Sequence, residues 1–160
     1  QEGMIDDDLG LLSGTLEFST ENASDVMVPL EDLIILDEST TPDQVEKEVA
    51  RTGFSRFPVA DAQGVLKGYI HLKDVLYADE TERFEPITSW RIRKMEAVPM
   101  DAEVEDALRH MQRAGAHLAE VMGTDGSVTG VLFLEDILER LVGEVRDALQ
   151  KDTLPGNYRS

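Results

Sequence analysis

The sequence predicts an α/β fold built from two tandem copies of one strand–helix–strand–strand–helix motif. Three observations support it: an internal repeat, a helix-start signal ahead of each repeated stretch, and short apolar strands separated by turn residues. A unit of roughly 60 residues is marginal alone, because it buries only about 60% of its surface. We therefore expect the two copies to pack sheet against sheet, with pseudo-two-fold symmetry and a shared core.

The internal repeat has a constant offset of 62 residues. Residues 64–76 (GVLKGYIHLKDVL) align without a gap on residues 126–138 (GSVTGVLFLEDIL). Two glycines, one aspartate and the apolar positions coincide. This agreement indicates a duplicated motif, so the residues of the two copies can be compared position by position.

The first copy carries a complete set of helix signals. A leading strand is expected from Leu33 to Leu36. Thr41 is a candidate cap, Pro42 suits the first helical position, and Gln44 completes a capping box. Gly53 is the expected C-terminal stop. The pattern predicts a helix of about three turns between these signals.

The second copy repeats the pattern with a different cap. Asp101 is the candidate N-cap and Gly115 the expected stop. The apolar residues between them follow helical spacing. They are Val104, Ala107, Leu108 and Met111.

Two strands and a final helix follow in each copy. The first strand is predicted at 56–60 and 118–122, and a turn rich in Asp and Gly comes next. The second strand is predicted to end at His71 or Phe133, and a further helix to begin near Asp74 or Asp136. The chain thus divides into four segments: residues 1–24 as a docking helix and linker, 25–86 and 87–150 as the two motifs, and 151–160 as a flexible tail.

Composition narrows the possible partners. The 160 residues include 33 acidic and 15 basic side chains, a net charge of −18, and no cysteine. Nucleic acids and anionic membrane surfaces are bound by clustered Lys and Arg, so both are disfavoured. A free polyanion such as ATP is also repelled. Bound Mg²⁺ would cancel much of the charge of a nucleotide ligand and so reduce this repulsion. Disulfides and cysteine-based zinc sites are excluded.

Four stretches together resemble the CBS domain pair, or Bateman module, and in particular the pair of the CorC/HlyC and CNNM magnesium and cobalt transport proteins, a hemolysin-like family. They are residues 25–29 (DVMVP), 53–59 (GFSRFPV), 68–74 (GYIHLKD) and 134–145 (LEDILERLVGEV). The resemblance implies a non-enzymatic regulatory module that forms a homodimer. It also implies a fragment of a membrane protein, on the cytoplasmic face of the cell membrane, beside a membrane transport domain.

The resemblance also implies two equivalent nucleotide clefts between the motifs, each using a carboxylate for the ribose hydroxyls. In the first cleft Asp136 would hold ribose and Arg56 would face phosphate. The first-cleft residues are Val28, Ser55, Arg56, Phe57, Pro58, Phe133 and Asp136. Relatives usually carry Thr where Val28 and Phe133 stand, and the Phe133 ring either fills the pocket or stacks on the base. The alternative role of Asp136 is a helix cap alone.

The second cleft is the weaker candidate. His71 takes the place of the usual hydroxyl beside Asp74, and a lone His on a strand is more often a packing residue than a ligand contact. The residues are His71, Asp74, Val98, His117, Leu118 and Ala119. No spacing typical of a metal site or of a catalytic group accompanies them.

These observations predict a module that binds an adenine nucleotide, ATP or AMP, with or without Mg²⁺, in the cleft between the motifs. The alternative is a structural dimerisation module that binds no nucleotide because Val28 and Phe133 block the clefts.

Overall fold

The computed structural model describes residues 21–153, so the predicted N-terminal docking helix and most of the predicted tail lie outside the described residues. The elements, in order, are α1 (Ala23–Val26), β1 (Val28–Pro29), β2 (Leu36–Asp37), α2 (Pro42–Thr52), β3 (Arg56–Ala60), β4 (Leu66–His71), β5 (Glu96–Pro99), α3 (Val104–Ala114), β6 (Leu118–Met122), β7 (Val128–Phe133) and α4 (Leu134–Thr153). The α/β class is confirmed. None of the helices in residues 21–153 combines the length and hydropathy of a membrane span.

The chain divides into two compact units, each containing one copy of the repeat. The first unit is Glu31–Met95, and the second unit joins the described residues 21–30 to residues 96–153. The short stretch that precedes each copy in sequence therefore belongs to the unit of the other copy. The units consequently differ from the predicted segments 25–86 and 87–150, which follow the repeat.

The first unit contains a three-stranded sheet in the order β2-β3-β4, with β2 parallel and β4 antiparallel to β3. The predicted helix signals are confirmed at α2. The Gln44 N–H donates to Thr41 Oγ1 at 3.2 Å, and the Thr41 N–H donates to Gln44 Oε1 at 3.0 Å. Gly53 ends the helix with φ 78°, a conformation that favours glycine.

Two predictions for the first copy need correction. The leading strand is Leu36–Asp37 rather than 33–36, because the parallel pairing with β3 begins at Leu36. The helix predicted near Asp74 is only a 3₁₀ turn, Leu72–Val75. Farther along the chain, Asp79 Oδ1 accepts the N–H groups of Thr81 and Glu82 and begins a separate turn.

The second unit contains a four-stranded sheet in the order β1-β7-β6-β5. The prediction that Asp101 caps α3 was wrong. The helix begins at Val104, and the residue before it, Glu103, makes no side-chain capping hydrogen bond. Backbone pairing explains the difference. Asn22 bridges Glu103, and the Val104 N–H donates to the Glu21 carbonyl at 3.1 Å. A backbone carbonyl thus replaces the expected aspartate.

Each unit has its own apolar core. In the first unit the core consists of Leu36, Val45, Phe57, Val59, Ile70, Val75 and Ile87. In the second unit it consists of Ala23, Val98, Val104, Ala107, Leu108, Met111, Ala116, Ala119, Val121, Leu132, Ile137 and Leu141. The α3 stripe predicted from helical spacing is therefore confirmed as buried.

Two repeat-equivalent glycines allow another segment to lie against the last strand of each sheet. In the first unit Tyr69 and Arg93 exchange backbone hydrogen bonds of 2.9 and 2.8 Å, and a Cβ on Gly68 would collide with the Arg93 carbonyl oxygen. In the second unit β1 pairs with β7, and a Cβ on Gly130 would lie 2.5 Å from the Val28 carbonyl oxygen. The missing side chains make both pairings possible.

A Gly130→Ala substitution is expected to lower the free energy of unfolding by about 1–3 kcal/mol, the usual cost of overpacking. The reason is the 2.5 Å approach of the new Cβ to a backbone oxygen, which cannot move without breaking the β1–β7 pairing. Urea denaturation followed by circular dichroism measures the change. Gly143→Ala is the matched control: a Cβ there meets nothing within 4 Å on a helix, so up to about 1 kcal/mol of stabilisation is expected. Equal effects of the two substitutions would contradict the packing argument.

Candidate functional site

In the first unit, four of the predicted site residues lie at the same end of the β3–β4 pair. Arg56 begins β3 and is directly opposite His71, the last residue of β4. The Leu72 N–H donates to the Ser55 carbonyl at 2.8 Å, which holds the following turn against the start of β3. Asp74 lies in that turn. The structure therefore brings Ser55, Arg56, His71 and Asp74 together.

The Asp74 carboxylate accepts three hydrogen bonds within the first unit. Arg93 binds it in a bidentate manner, with Nε donating to Oδ2 at 2.7 Å and Nη2 donating to Oδ1 at 2.6 Å. The His71 N–H adds a third bond to Oδ2 at 3.0 Å. Only 13% of the Asp74 side chain is exposed. Charge-assisted, bidentate pairs of this kind are among the stronger hydrogen bonds in proteins.

The titration of this group follows from its partners. Burial alone would raise the pKa of Asp74, but the Arg93 and His71 hydrogen bonds outweigh it, and the pKa lies below the ordinary 3.8. Burial, with the nearby charge of Arg56, lowers the pKa of His71. The His71 Nδ1 accepts the Lys73 N–H at 3.1 Å. His71 thus caps the turn through its ring nitrogen.

The second unit repeats this arrangement with different side chains. Leu118 begins β6 opposite Phe133, the last residue of β7, and the Leu134 N–H donates to the His117 carbonyl at 2.9 Å. Val28 lies on the neighbouring strand β1, opposite Val131. Asp136 is the third residue of α4. The second unit therefore brings together Val28, His117, Leu118, Phe133 and Asp136.

The Asp136 carboxylate differs sharply from Asp74. No hydrogen bond or ion pair reaches it from any residue between 21 and 153, and its side chain is exposed. The protein nevertheless withdraws it partly from water. This burial, reinforced by repulsion from Glu139 and Glu135, raises the pKa of Asp136 above the ordinary 3.8. The geometry gives no support to a role as a helix cap, since a cap accepts a backbone N–H.

Several predicted site residues belong to the cores by their side chains. Phe57 packs in the core of the first unit, and Val98 and Ala119 pack in that of the second. Leu118 is also fully buried, and Pro58 is buried. These residues can offer a ligand only their backbone groups. The residues with available polar side chains are few, and Asp136 is the clearest.

Sequence reasoning missed Arg93 as a site residue. It lies 19 residues from Asp74, in the stretch between the two copies, and no motif surrounds it. The only signal is its strand pairing, which becomes visible once the chain is folded. Within residues 21–153 no group of three His, Cys, Asp or Glu side chains is arranged to hold a metal ion.

Comparison with known families gives a consistent result for both copies. Residues 23–80 and 90–143 each match the CBS domain. An uncharacterised protein of Mycobacterium tuberculosis H37Rv is 37% identical over 94% of this chain and 45% of its own length. The magnesium and cobalt efflux protein CorC of Escherichia coli K12 is 28% identical over 95% of this chain and 53% of its own. The chain thus spans about half the length of the curated relatives it matches.

Solved structures show the same fold. The hemolysin-like CBS protein of Oenococcus oeni is 25% identical, with a TM-score of 0.70 over 78% of this chain and 93% of its own. The CBS domain of a bacterial CNNM/CorC family Mg²⁺ transporter, in complex with ATP, is 21% identical, with a TM-score of 0.72 over 86% of this chain and 98% of its own.

An Asp74→Asn substitution is expected to lower the free energy of unfolding by about 1–2 kcal/mol at pH 7, because it weakens hydrogen bonds to a charged group. The loss depends on pH in a definite direction. Since the folded pKa of Asp74 is depressed, its contribution is fully present above 3.8 and is lost as the pH falls through the folded value. Urea denaturation between pH 3 and pH 7 tests this, with exposed Asp32→Asn as the control. A difference that does not shrink in acid would contradict it.

An Asp136→Asn substitution is expected to raise the free energy of unfolding, the opposite of Asp74→Asn. The raised pKa means that the charged form is disfavoured by folding, so removing the charge should stabilise the protein modestly, by less than about 1 kcal/mol for an exposed group. The gain should be present at pH 7 and vanish below the ordinary 3.8, where Asp136 is protonated in both states. Thermal denaturation at pH 7 and pH 3 measures it, and destabilisation at pH 7 would refute the assignment.

Proposed function

This chain belongs to the CBS domain family, with two copies in tandem, and on that premise we propose that it is a regulatory module that binds an adenine nucleotide. The bound nucleotide, accompanied by Mg²⁺, would bias a membrane ion-transport domain of the CorC/CNNM type on the cytoplasmic face. The carrying observation is the Asp136 carboxylate: it has no partner among residues 21–153, while its repeat equivalent Asp74 has three hydrogen bonds.

The chemistry of Asp136 suits a ribose. A carboxylate at the start of a helix can accept two hydrogen bonds from a cis-diol, and the α4 N-terminus favours a neighbouring negative group such as phosphate. A ligand that donates two hydrogen bonds would stabilise the charged form and lower the pKa of Asp136, which burial and the neighbouring glutamates raise.

One further proposed contact lies in the same unit as Asp136. The Phe133 ring, where relatives usually carry Thr, would stack on the base. Mg²⁺ would offset the repulsion between a polyphosphate and a chain of net charge −18. A protein of the same fold has been solved with ATP, which supports a nucleotide as the ligand class. The same resemblance supports a homodimer and argues for a binding module rather than an enzyme.

Regulation would follow from differential affinity. A ligand shifts a conformational equilibrium only by the difference in its affinity for the two states. A nucleotide that favours one conformation of the module would therefore favour one state of the attached transport domain. The relative from Escherichia coli is named a magnesium and cobalt efflux protein, so we propose a divalent cation as the transported ion.

One observation favours a second candidate function, a structural module that binds no nucleotide. Val28 and Phe133 carry no hydroxyl where relatives usually have one, and both are half-buried. Thermal shift separates the two candidates. A nucleotide at 100 times its Kd adds about 2.7 kcal/mol to the folded state, whereas a purely structural module shows no shift at millimolar nucleotide.

Isothermal titration calorimetry with ATP, ADP and AMP, each with and without Mg²⁺, tests the proposed function. At least one nucleotide should bind, and Asp136→Asn should weaken it by roughly 10- to 150-fold, the equivalent of about 1.5–3 kcal/mol for hydrogen bonds to a charged group. Asp147→Asn is the matched control, because it removes the same charge from an exposed position of the same helix. An absence of heat for every nucleotide would refute the proposal.

A further inference from the structure

The two copies differ at one structurally equivalent position. In the first unit Tyr69 pairs with Arg93, and in the second unit Val131 pairs with Val28. Tyr69 and Val131 are 62 residues apart, the same offset as Asp74 and Asp136. Arg93 and Val28 therefore occupy the same place beside the last strand of their respective sheets. One is a long cation and the other a short apolar side chain.

Arg93 is held firmly in this place. Its backbone exchanges two hydrogen bonds with Tyr69, of 2.9 and 2.8 Å, and the missing side chain of Gly68 lets it approach the strand. From there the guanidinium reaches Asp74 with bonds of 2.7 and 2.6 Å. The side chain of Arg93 is still 40% exposed, so the contact is made at the edge of the unit.

The contact leaves Asp74 little capacity for another ligand. A carboxylate has about four acceptor sites, and the Asp74 oxygens already accept three hydrogen bonds, two from Arg93 and one from the His71 N–H. A ribose diol, which donates two hydrogen bonds, needs two free acceptor sites. A nucleotide would therefore have to displace Arg93, at a loss of affinity equivalent to hydrogen bonds to a charged group.

The equivalent position in the second unit has the opposite effect. Val28 has no donor, and no other donor between residues 21 and 153 reaches Asp136. Both Asp136 oxygens therefore stay available. The two carboxylates occupy equivalent positions in the repeat, and two of the three hydrogen bonds that distinguish Asp74 come from the residue on the neighbouring segment.

We propose that the residue paired with the last strand of each sheet decides which carboxylate can accept a ribose diol, so that the module binds one nucleotide per chain, at Asp136. Arg93 acts as an internal substitute for the ligand at Asp74, and Val28 leaves its counterpart free. This inference rests on the proposed function and adds the stoichiometry and its cause.

The inference is tested by calorimetric titration of Mg·ATP and of AMP into the unaltered chain and into variants at positions 28 and 93. The unaltered chain should bind one equivalent. Val28→Arg should place a guanidinium beside Asp136 and weaken binding at least tenfold, while Val65→Arg, which adds the same charge at an exposed turn position, should not. Arg93→Val should yield a second equivalent, and the double variant Arg93→Val with Asp74→Asn should return to one. Arg93→Gln serves if Arg93→Val proves unstable, and circular dichroism confirms the fold of each.

The outcomes distinguish this inference from the proposed function. One equivalent in the unaltered chain, with no change in either Val28→Arg or Arg93→Val, would overturn the inference and leave the proposed function standing. Binding that appears only after Arg93→Val would show that Arg93 blocks Asp74, but it would overturn binding at Asp136, and with it both the proposed function and the inference. No binding by any variant would overturn both.

Discussion

The interaction on which the rest depends is the backbone pairing that Gly68 and Gly130 permit. Because each glycine has no side chain, another segment of the chain can approach the last strand of the sheet and form backbone hydrogen bonds with it. The pairing extends each sheet with residues that lie far away in sequence. It also fixes where the side chains of those residues begin, and so determines what stands beside each of the two carboxylates.

Local chemistry was sufficient to predict most of the fold. The capping box at Thr41, the left-handed Gly53 and the strand ends at His71 and Phe133 all follow from a few neighbouring residues. The predictions failed where a distant segment intervened. Asp101 loses the capping role because the backbone around residue 21 supplies the acceptor for α3.

The candidate site was predictable only in part for the same reason. The repeat identifies Asp74 and Asp136 as equivalent, but it cannot show that one is paired and the other is not. Arg93 and Val28 are 65 residues apart rather than 62, so the repeat alignment does not place them opposite each other. Their equivalence depends on strand register, a property of the folded chain.

The two repeat-equivalent aspartates have opposed pKa shifts. The Asp74 carboxylate is held by hydrogen bonds and stabilises the fold, whereas the charge of Asp136 is disfavoured by its surroundings and a ligand could relieve it. The neighbouring residues Arg93 and Val28 contribute to this difference, while the aspartate itself is the same in both copies.

Each short segment that precedes a copy of the repeat in sequence belongs to the unit of the other copy, and this has a consequence if the chain is divided. Residues 21–30 belong to the unit of the second copy, and the bridge at Arg93 belongs to that of the first. A division of the chain near residue 86 would separate each sheet from the segment that pairs with its last strand. The backbone pairing of either copy is therefore complete only when both halves of the chain are present.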